Sequence, residues 1–343
     1  MMASQPDSGK PQEPDAIALR TLPATSYTVA WICALHIEMA AARAMLDEMH
    51  ADLPTIEGDI NNYALGSIGR HNIVIACLPE AQYGTSRAAS VLTNLVRTFT
   101  SIRLGLMVGI GGGAPSNKVD VRLGDVVVGT RVMPYELGKV ASGGQIQHTA
   151  VHKIPDQLLC TLVSKLRANH EEDNSRMPKI LEEKLATRPK YQHPGLADEL
   201  FEATYDHDDS LETSMCDQCD RARLVVRRER ANNAPEVHYG GIASGDKVMR
   251  HGASRDDLAR RLNAICFEME AAGLMDVLPC LPIRGICDYS DTHKNKAWQR
   301  YAAATAAAYA RELLEVLGIS FAHYEPGNRE LKLTQGLLRG AFH

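Results

Sequence analysis

The stretch YTVAWICALHIEMAAARAMLDEM, residues 27–49, decides the fold. Its first nine residues, YTVAWICAL, form a nearly unbroken apolar run, the pattern of a strand buried on both faces. From Ile37 the apolar residues recur at helical spacing, which predicts a helix over 37–49. A strand that feeds directly into a helix is the repeating unit of a wound α/β sheet.

Outward from this stretch the same grammar returns. NNYALGS (61–67) and NIVIACLP (72–79) read as a hairpin pair, SRAASVLTNLVRTF (86–99) as a helix, and RLGLMVGI (103–110) as a strand ending in a glycine cluster. DVVVGTRV (125–132), VHYGGIAS (237–244), AICFEM (264–269) and LPIRGIC (281–287) are further strands, and the alanine-rich AWQRYAAATAAAYARELLEVL (297–317) is a helix. These elements predict a three-layer α/β fold, with a central twisted mixed β-sheet flanked by helices. Between about 140 and 235 the alternation gives way to helix-like pieces, DQLLCTLVSKLRANH (156–170) and PGLADELFEATYDH (194–207), read as an insertion. Residues 1–25, rich in Pro, Ser, Gln and Asp, read as a flexible leader, 26–318 as one catalytic domain, and 319–343 as an appendage or linker.

The net charge of -5 provides no field to hold a phosphate polymer, so nucleic acid is not an expected partner. No apolar stretch reaches the ~18 residues of a membrane span, and residues 1–16 lack the apolar core of a signal peptide, so a cytoplasmic protein off the membrane is expected. The eight cysteines are read as reduced thiols. Cys216 and Cys219 form a C-x-x-C with His207 as a possible third ligand; without a second such pair, no metal is expected there.

Four motifs collect at the carboxyl ends of strands, where open α/β sheets place ligands. Glu38 stands in the first turn after YTVAWICAL, where a helix amino terminus favours the ionised form that a general base requires. In GIGGGAP (109–115), Gly109, Gly111 and Gly112 let backbone approach a ligand. Gly109, Gly111 and Ala114 also match G-x-G-x-x-A, the mark of an NAD(P) enzyme, but the chain continues into Pro115 and a polar loop rather than an apolar helix. FEMEAAG (267–273) places Glu270, beside Met269, where a carboxylate accepts hydrogen bonds from two sugar hydroxyls. GICDYSD (285–291) places Asp288 at another strand end. Each acid alone is what an ordinary helix start carries; their coincidence at one edge is the signal.

CALHIEMAAA, VGIGGG, LGDVVVG, IASGD, FEMEAAGLM and GICDYSDTHKNKAWQRYAAATAAAYA together resemble the nucleoside phosphorylase and nucleosidase superfamily, and especially a fungal branch found in larger signalling proteins. The resemblance spans residues 27–317. It implies an enzyme without cofactor that breaks the N-ribosidic bond of a small-molecule purine nucleoside or nucleotide, adenine compounds such as ATP favoured, and that assembles as a homo-oligomer. Glu38 would activate water, Met269 and Glu270 hold the ribose, and Asp288, kept protonated by burial, serve the departing purine. Val248 and Met249 would line the base pocket, with Asp246 beside them.

Where phosphorylases of the superfamily bind phosphate with an arginine and a serine, this chain has Met107 and Ile110, which favours water as the nucleophile. Ser86 and Arg87 keep phosphate in play, and Lys139, Lys247, Arg250 and Arg228, the last within a run of arginines from 221 to 230, are the candidate contacts for substrate phosphates. The alternatives are a phosphate-dependent phosphorylase and a catalytically silent nucleotide sensor.

Overall fold

The structure, a computed structural model, describes residues 19–54, 56–140, 146–208 and 216–318. Most of the expected leader and all of the 319–343 appendage lie outside the described residues. Residues 19–25 run along the fold: Arg20 bridges to His50, and Leu22 and Ala24 pack against buried apolar side chains.

In chain order the elements are β1 (Val29–Cys33), α1 (His36–Met45), β2 (Glu48–Met49), β3 (Tyr63–Ile68), β4 (His71–Cys77), α2 (Thr85–Thr98), β5 (Leu104–Gly113), β6 (Val126–Pro134), β7 (Gly138–Val140), β8 (Ile146–His148), α3 (Gln157–Glu172), α4 (Met177–Leu185), β9 (Val237–Ser244), α5 (Gly252–Leu262), β10 (Ala264–Glu268), α6 (Ala271–Val277), β11 (Leu281–Asp288) and α7 (Gln299–Val316). The large sheet runs β10-β9-β6-β11-β5-β1-β4-β3-β2. It is mixed: β4, β1, β5 and β11 are parallel neighbours, while β6 runs antiparallel to β11 and β3 to β4. β10 also pairs antiparallel with β5, Phe267 opposite Gly112, so one side of the sheet closes on itself around the strand ends.

β1 shows why the apolar run is continuous. Side chains alternate across a strand, and here both faces are covered. Val29, Trp31 and Cys33 join the core under α1, α3, α4 and α7, while Ala30 and Ile32 join the core under α2 and α6. The alanines of α7 let that helix lie against the sheet; a Cβ at Gly285 of β11 would overlap the Ala302 carbonyl. No helix among the described residues is long and apolar enough to cross a membrane.

Several sequence expectations are corrected. The first helix stops at Met45: Leu46 is extended, and Asp47 accepts from Gly69 N at 2.8 Å and pairs with Lys184, which commits 48–49 to an edge strand. β5 continues through its glycines, since β11 and β10 pair with them. Residues 194–207 form no regular helix; Asp198 instead accepts from Arg227 Nη2 at 2.5 Å and from the Tyr289 hydroxyl, and Phe201 bridges to Leu224. Trp298 and Tyr301 are buried together against Leu123, packing the last helix.

Replacing Gly285 by Ala forces the β11–α7 contact apart. We expect a loss of ~1–3 kcal/mol, read as a lower urea midpoint at unchanged slope; an unaltered midpoint would show that the contact relaxes freely.

Candidate active site

Glu38 enters the rim because α1 begins three residues after β1 ends. Its carboxylate is 3% exposed and receives three backbone donors: Ala34 N at 2.7 Å and Leu35 N at 3.0 Å on Oε2, and Ile110 N at 2.8 Å on Oε1. Burial raises its pKa above the ordinary carboxylate value, with Arg284 and the backbone donors pulling the other way.

At the centre lies Arg284, wholly buried on β11. Its Nη2 pairs with Glu268 and stands 3.5 Å from Glu270 Oε2. Glu268 also accepts from Glu270 N at 3.0 Å and Ala271 N at 2.9 Å, so it caps α6 at the cavity wall. Glu270 is pushed up to about 8 by burial, Arg284 opposing. A carboxyl group so placed can hydrogen-bond two neighbouring hydroxyls at once.

Asp288 closes the other wall. It is buried and has three close neighbours. Lys294 Nζ is 2.7 Å from Oδ2, Cys287 Sγ is 3.1 Å from the same oxygen, and Ser290 N donates to Oδ1 at 2.9 Å. Burial works against the Lys294 ammonium, yet Asp288 raises its pKa.

The glycines explain how three acids fit so tightly. A Cβ at Gly109 would stand 2.5 Å from Glu38 Oε1 and 2.7 Å from Arg284 Nη1; one at Gly112 would overlap Ser290 Oγ and stand 2.7 Å from Asp288 Oδ1. No helix opens after them, so the dinucleotide reading fails where its phosphate-binding terminus would be.

One cavity of about 200 Å³ is lined by Glu38, Glu270 and Asp288 together. Of the other expected residues, Gly111, Gly112, Met269, Val248, Met249 and Lys247 line it too. Gly109 lies behind Glu38. Ile110, Phe267, Glu268, Tyr83, Ser290 and Lys294 are also among the lining residues. Sequence reasoning missed Arg284, Lys294 and Phe267; an arginine inside an apolar strand was the available signal for the first, since a buried charge requires partners.

Other expectations do not hold. Asp246 turns away from the cavity and caps α2, accepting from Thr85 N at 2.8 Å, because a helix start has unpaired N–H groups to satisfy. Ser86 and Arg87 are exposed on the first turn of α2, and Ser86 lines a separate depression with Lys153 and Asp276. Lys139 is exposed on β7 and lines no part of the cavity with the acids, and Arg250 is exposed beyond its lining. Arg228 is exposed and lends only its carbonyl, to Arg122. Its neighbours are consumed by acids: Arg221 by Glu199, Arg223 by Glu202, Arg227 by Asp198, and Arg230 by Asp125. These four pairs fasten the insertion. Met107 is buried in the core, and Ile110 presents its backbone to Glu38.

The chain belongs to the Phosphorylase superfamily, whose sequence profile matches residues 28–315. It is 42% identical over 311 residues to a nucleotide-binding leucine-rich repeat (NLR)-like protein of Hyaloscypha variabilis, covering 88% of this chain and 30% of that one. It is 25% identical over 293 residues to the ATP nucleosidase Cap17 of Escherichia coli, covering 83% of this chain and 50% of the relative. The chain therefore spans 30% to 50% of the length of these curated relatives. In fold it is similar to the futalosine hydrolase of Helicobacter pylori, at TM-score 0.56 and 16% identity over 85% of this chain and 99% of that one. It is similar likewise to the 5'-methylthioadenosine/S-adenosylhomocysteine nucleosidase of Neisseria meningitidis in complex with methylthio-immucillin-A, at TM-score 0.55 and 18% identity over 84% and 99%.

Replacing Arg284 by Met removes the counter-charge from a buried carboxylate cluster. We expect a loss of about 3–5 kcal/mol at neutral pH. Because the acids are neutral once protonated, and burial raises both Glu38 and Glu270, the deficit should shrink at pH 5. Urea denaturation at the two pH values checks this; a deficit that grows on acidification contradicts it.

Proposed function

We propose that this domain hydrolyses the N-glycosidic bond of a purine nucleoside or nucleotide and releases the free base. The observation that carries the reading is the single cavity in which Glu38 faces Glu270 and the Asp288–Lys294 pair. Bond cleavage leaves positive charge on the sugar and negative charge on the purine, so the site must supply opposite chemistry at its two ends. Glu38, a carboxylate held by three backbone N–H groups, takes a proton from water as the new C–O bond forms. Glu270 binds the sugar hydroxyls, and Met269 packs beside the ribose. Asp288 transfers a proton to the purine, with the Lys294 ammonium as its reservoir, so one proton is taken and one is given. Phe267, Val248 and Met249 supply apolar surface for the ring.

Water is favoured over phosphate because, among the described residues, no arginine lines the cavity and Arg284 is occupied by Glu268 and Glu270. An adenine nucleotide such as ATP is the preferred substrate within this reading. Lys247, with a side chain 85% exposed, stands at the mouth where substrate phosphates would emerge, and the name of the Escherichia coli relative supports the same class. A silent sensor has no use for an acid and a base on opposite sides of one cavity.

The test is release of free base from adenosine, AMP, ATP and guanosine, followed by chromatography in phosphate-free buffer. Asp288→Asn is expected to lower kcat by ~10²–10⁴ with little change in KM. In the wild type, kcat/KM should fall on the acid side at a pH above the ordinary ~4.3 of a glutamate, as Glu38 is protonated. No base from any of these compounds would overturn the proposal.

A further inference from the structure

A second set of chemistry-bearing side chains lies in the insertion, apart from the proposed reacting groups. The ligating atoms of His207, Cys216 and Cys219 all fall within 4.8 Å of one another. His207 Nδ1 is 3.2 Å from Cys219 Sγ. Around a tetrahedral zinc ion, bond lengths of ~2.0 Å to nitrogen and ~2.3 Å to sulfur separate neighbouring ligand atoms by roughly 3.5–3.8 Å. The three side chains are therefore within a small adjustment of that geometry. The two cysteines are brought together by a tight turn, Cys219 N donating to Cys216 O at 3.1 Å, and both are free thiols.

An independent observation points to the same place. The His293 side chain is only 5% exposed, and neither ring nitrogen has a hydrogen-bond partner among the described residues. The nearest charge is Asp291 Oδ1, 4.0 Å from Nδ1. Its ring stacks on Phe201 at 4.1 Å and lies edge-on to His207 at 5.7 Å between centroids. A buried imidazole with both nitrogens unsatisfied is costly, and coordination to a metal would satisfy one of them.

We propose that His207, Cys216 and Cys219, with the His293 ring as the fourth ligand, form a structural zinc site that fastens the insertion to the segment carrying Asp288 and Lys294. Two sulfur and two imidazole donors in a closed set suit zinc rather than a hard cation such as magnesium. Binding deprotonates both thiols, so two protons leave as two Zn–S bonds form. No electron is transferred. The consequence for the active site is positional. His293 precedes Lys294, and His207 N already donates to Thr292 Oγ1 at 2.8 Å, so the ion would hold both sides of the loop that presents Lys294 to Asp288. The proposal departs from the sequence expectation of no metal, which rested on the lack of a second C-x-x-C; the fourth ligand would come from a histidine 74 positions beyond Cys219.

The full chain, purified without chelator and in reductant, is expected to contain about one zinc per molecule by elemental mass spectrometry. Loaded with cobalt(II), it should show the ligand-field bands of a tetrahedral thiolate site. Cys216→Ser and His207→Ala should lose the metal. His293→Ala should weaken zinc retention against a competing chelator by more than the ~10–100-fold that outer-shell losses cost. Metal content is read independently of base release, so failure of the enzymatic proposal leaves this test intact. Wild-type protein that takes up neither zinc nor cobalt under reducing conditions would overturn the site, as would a native Cys216–Cys219 disulfide found by mass.

Discussion

A single buried guanidinium organises this rim. Arg284 lies in the middle of a strand covered on both faces, and its charge is neutralised by Glu268 and by Glu270, with Glu38 close enough to feel it. Burying that many carboxylates without a cation would cost more than a marginally stable domain can supply. With the arginine in place, Glu268 caps α6, and Glu38, Glu268 and Glu270 all keep edges that line the cavity. The arginine itself lines no part of the cavity, so its role is to position groups that do.

The sheet provides the rest of the placement. β1, β5 and β11 run parallel and end at one edge, and the antiparallel contact of β10 with β5 turns the α6 start toward the same point. Chain segments more than 200 residues apart, at Glu38 and Glu270, are thereby brought around one volume. Close approach requires absent side chains, which is why β5 ends in glycines: the acids occupy the space a Cβ would fill. The glycine run is thus explained by neighbouring side chains, not by a phosphate.

Much of the fold was legible because burial on two faces writes continuous apolar runs, as in β1, and because α7 is rich in alanine. Glu38, Glu270 and Asp288 were legible as acids at strand ends. What was not legible depended on partners distant in sequence. The Arg227 and Arg230 side chains look like a basic patch until Asp198 and Asp125 are seen against them. Asp246 looks like a ligand of the base until Thr85 claims it, and Lys294 carries no sign of its pairing with Asp288. Residues 194–207 have helix-like composition, yet tertiary bonds from Asp198 and Phe201 override it.

In the proposed reaction, water activated by Glu38 within this charge-balanced rim is the group that replaces the purine. Running the reaction in 18O-labelled water without phosphate and weighing the sugar product tests that statement most directly. One labelled oxygen in the sugar and none in the base is the predicted result. A phosphorylated sugar formed only when phosphate is added, with no label from water, would contradict it.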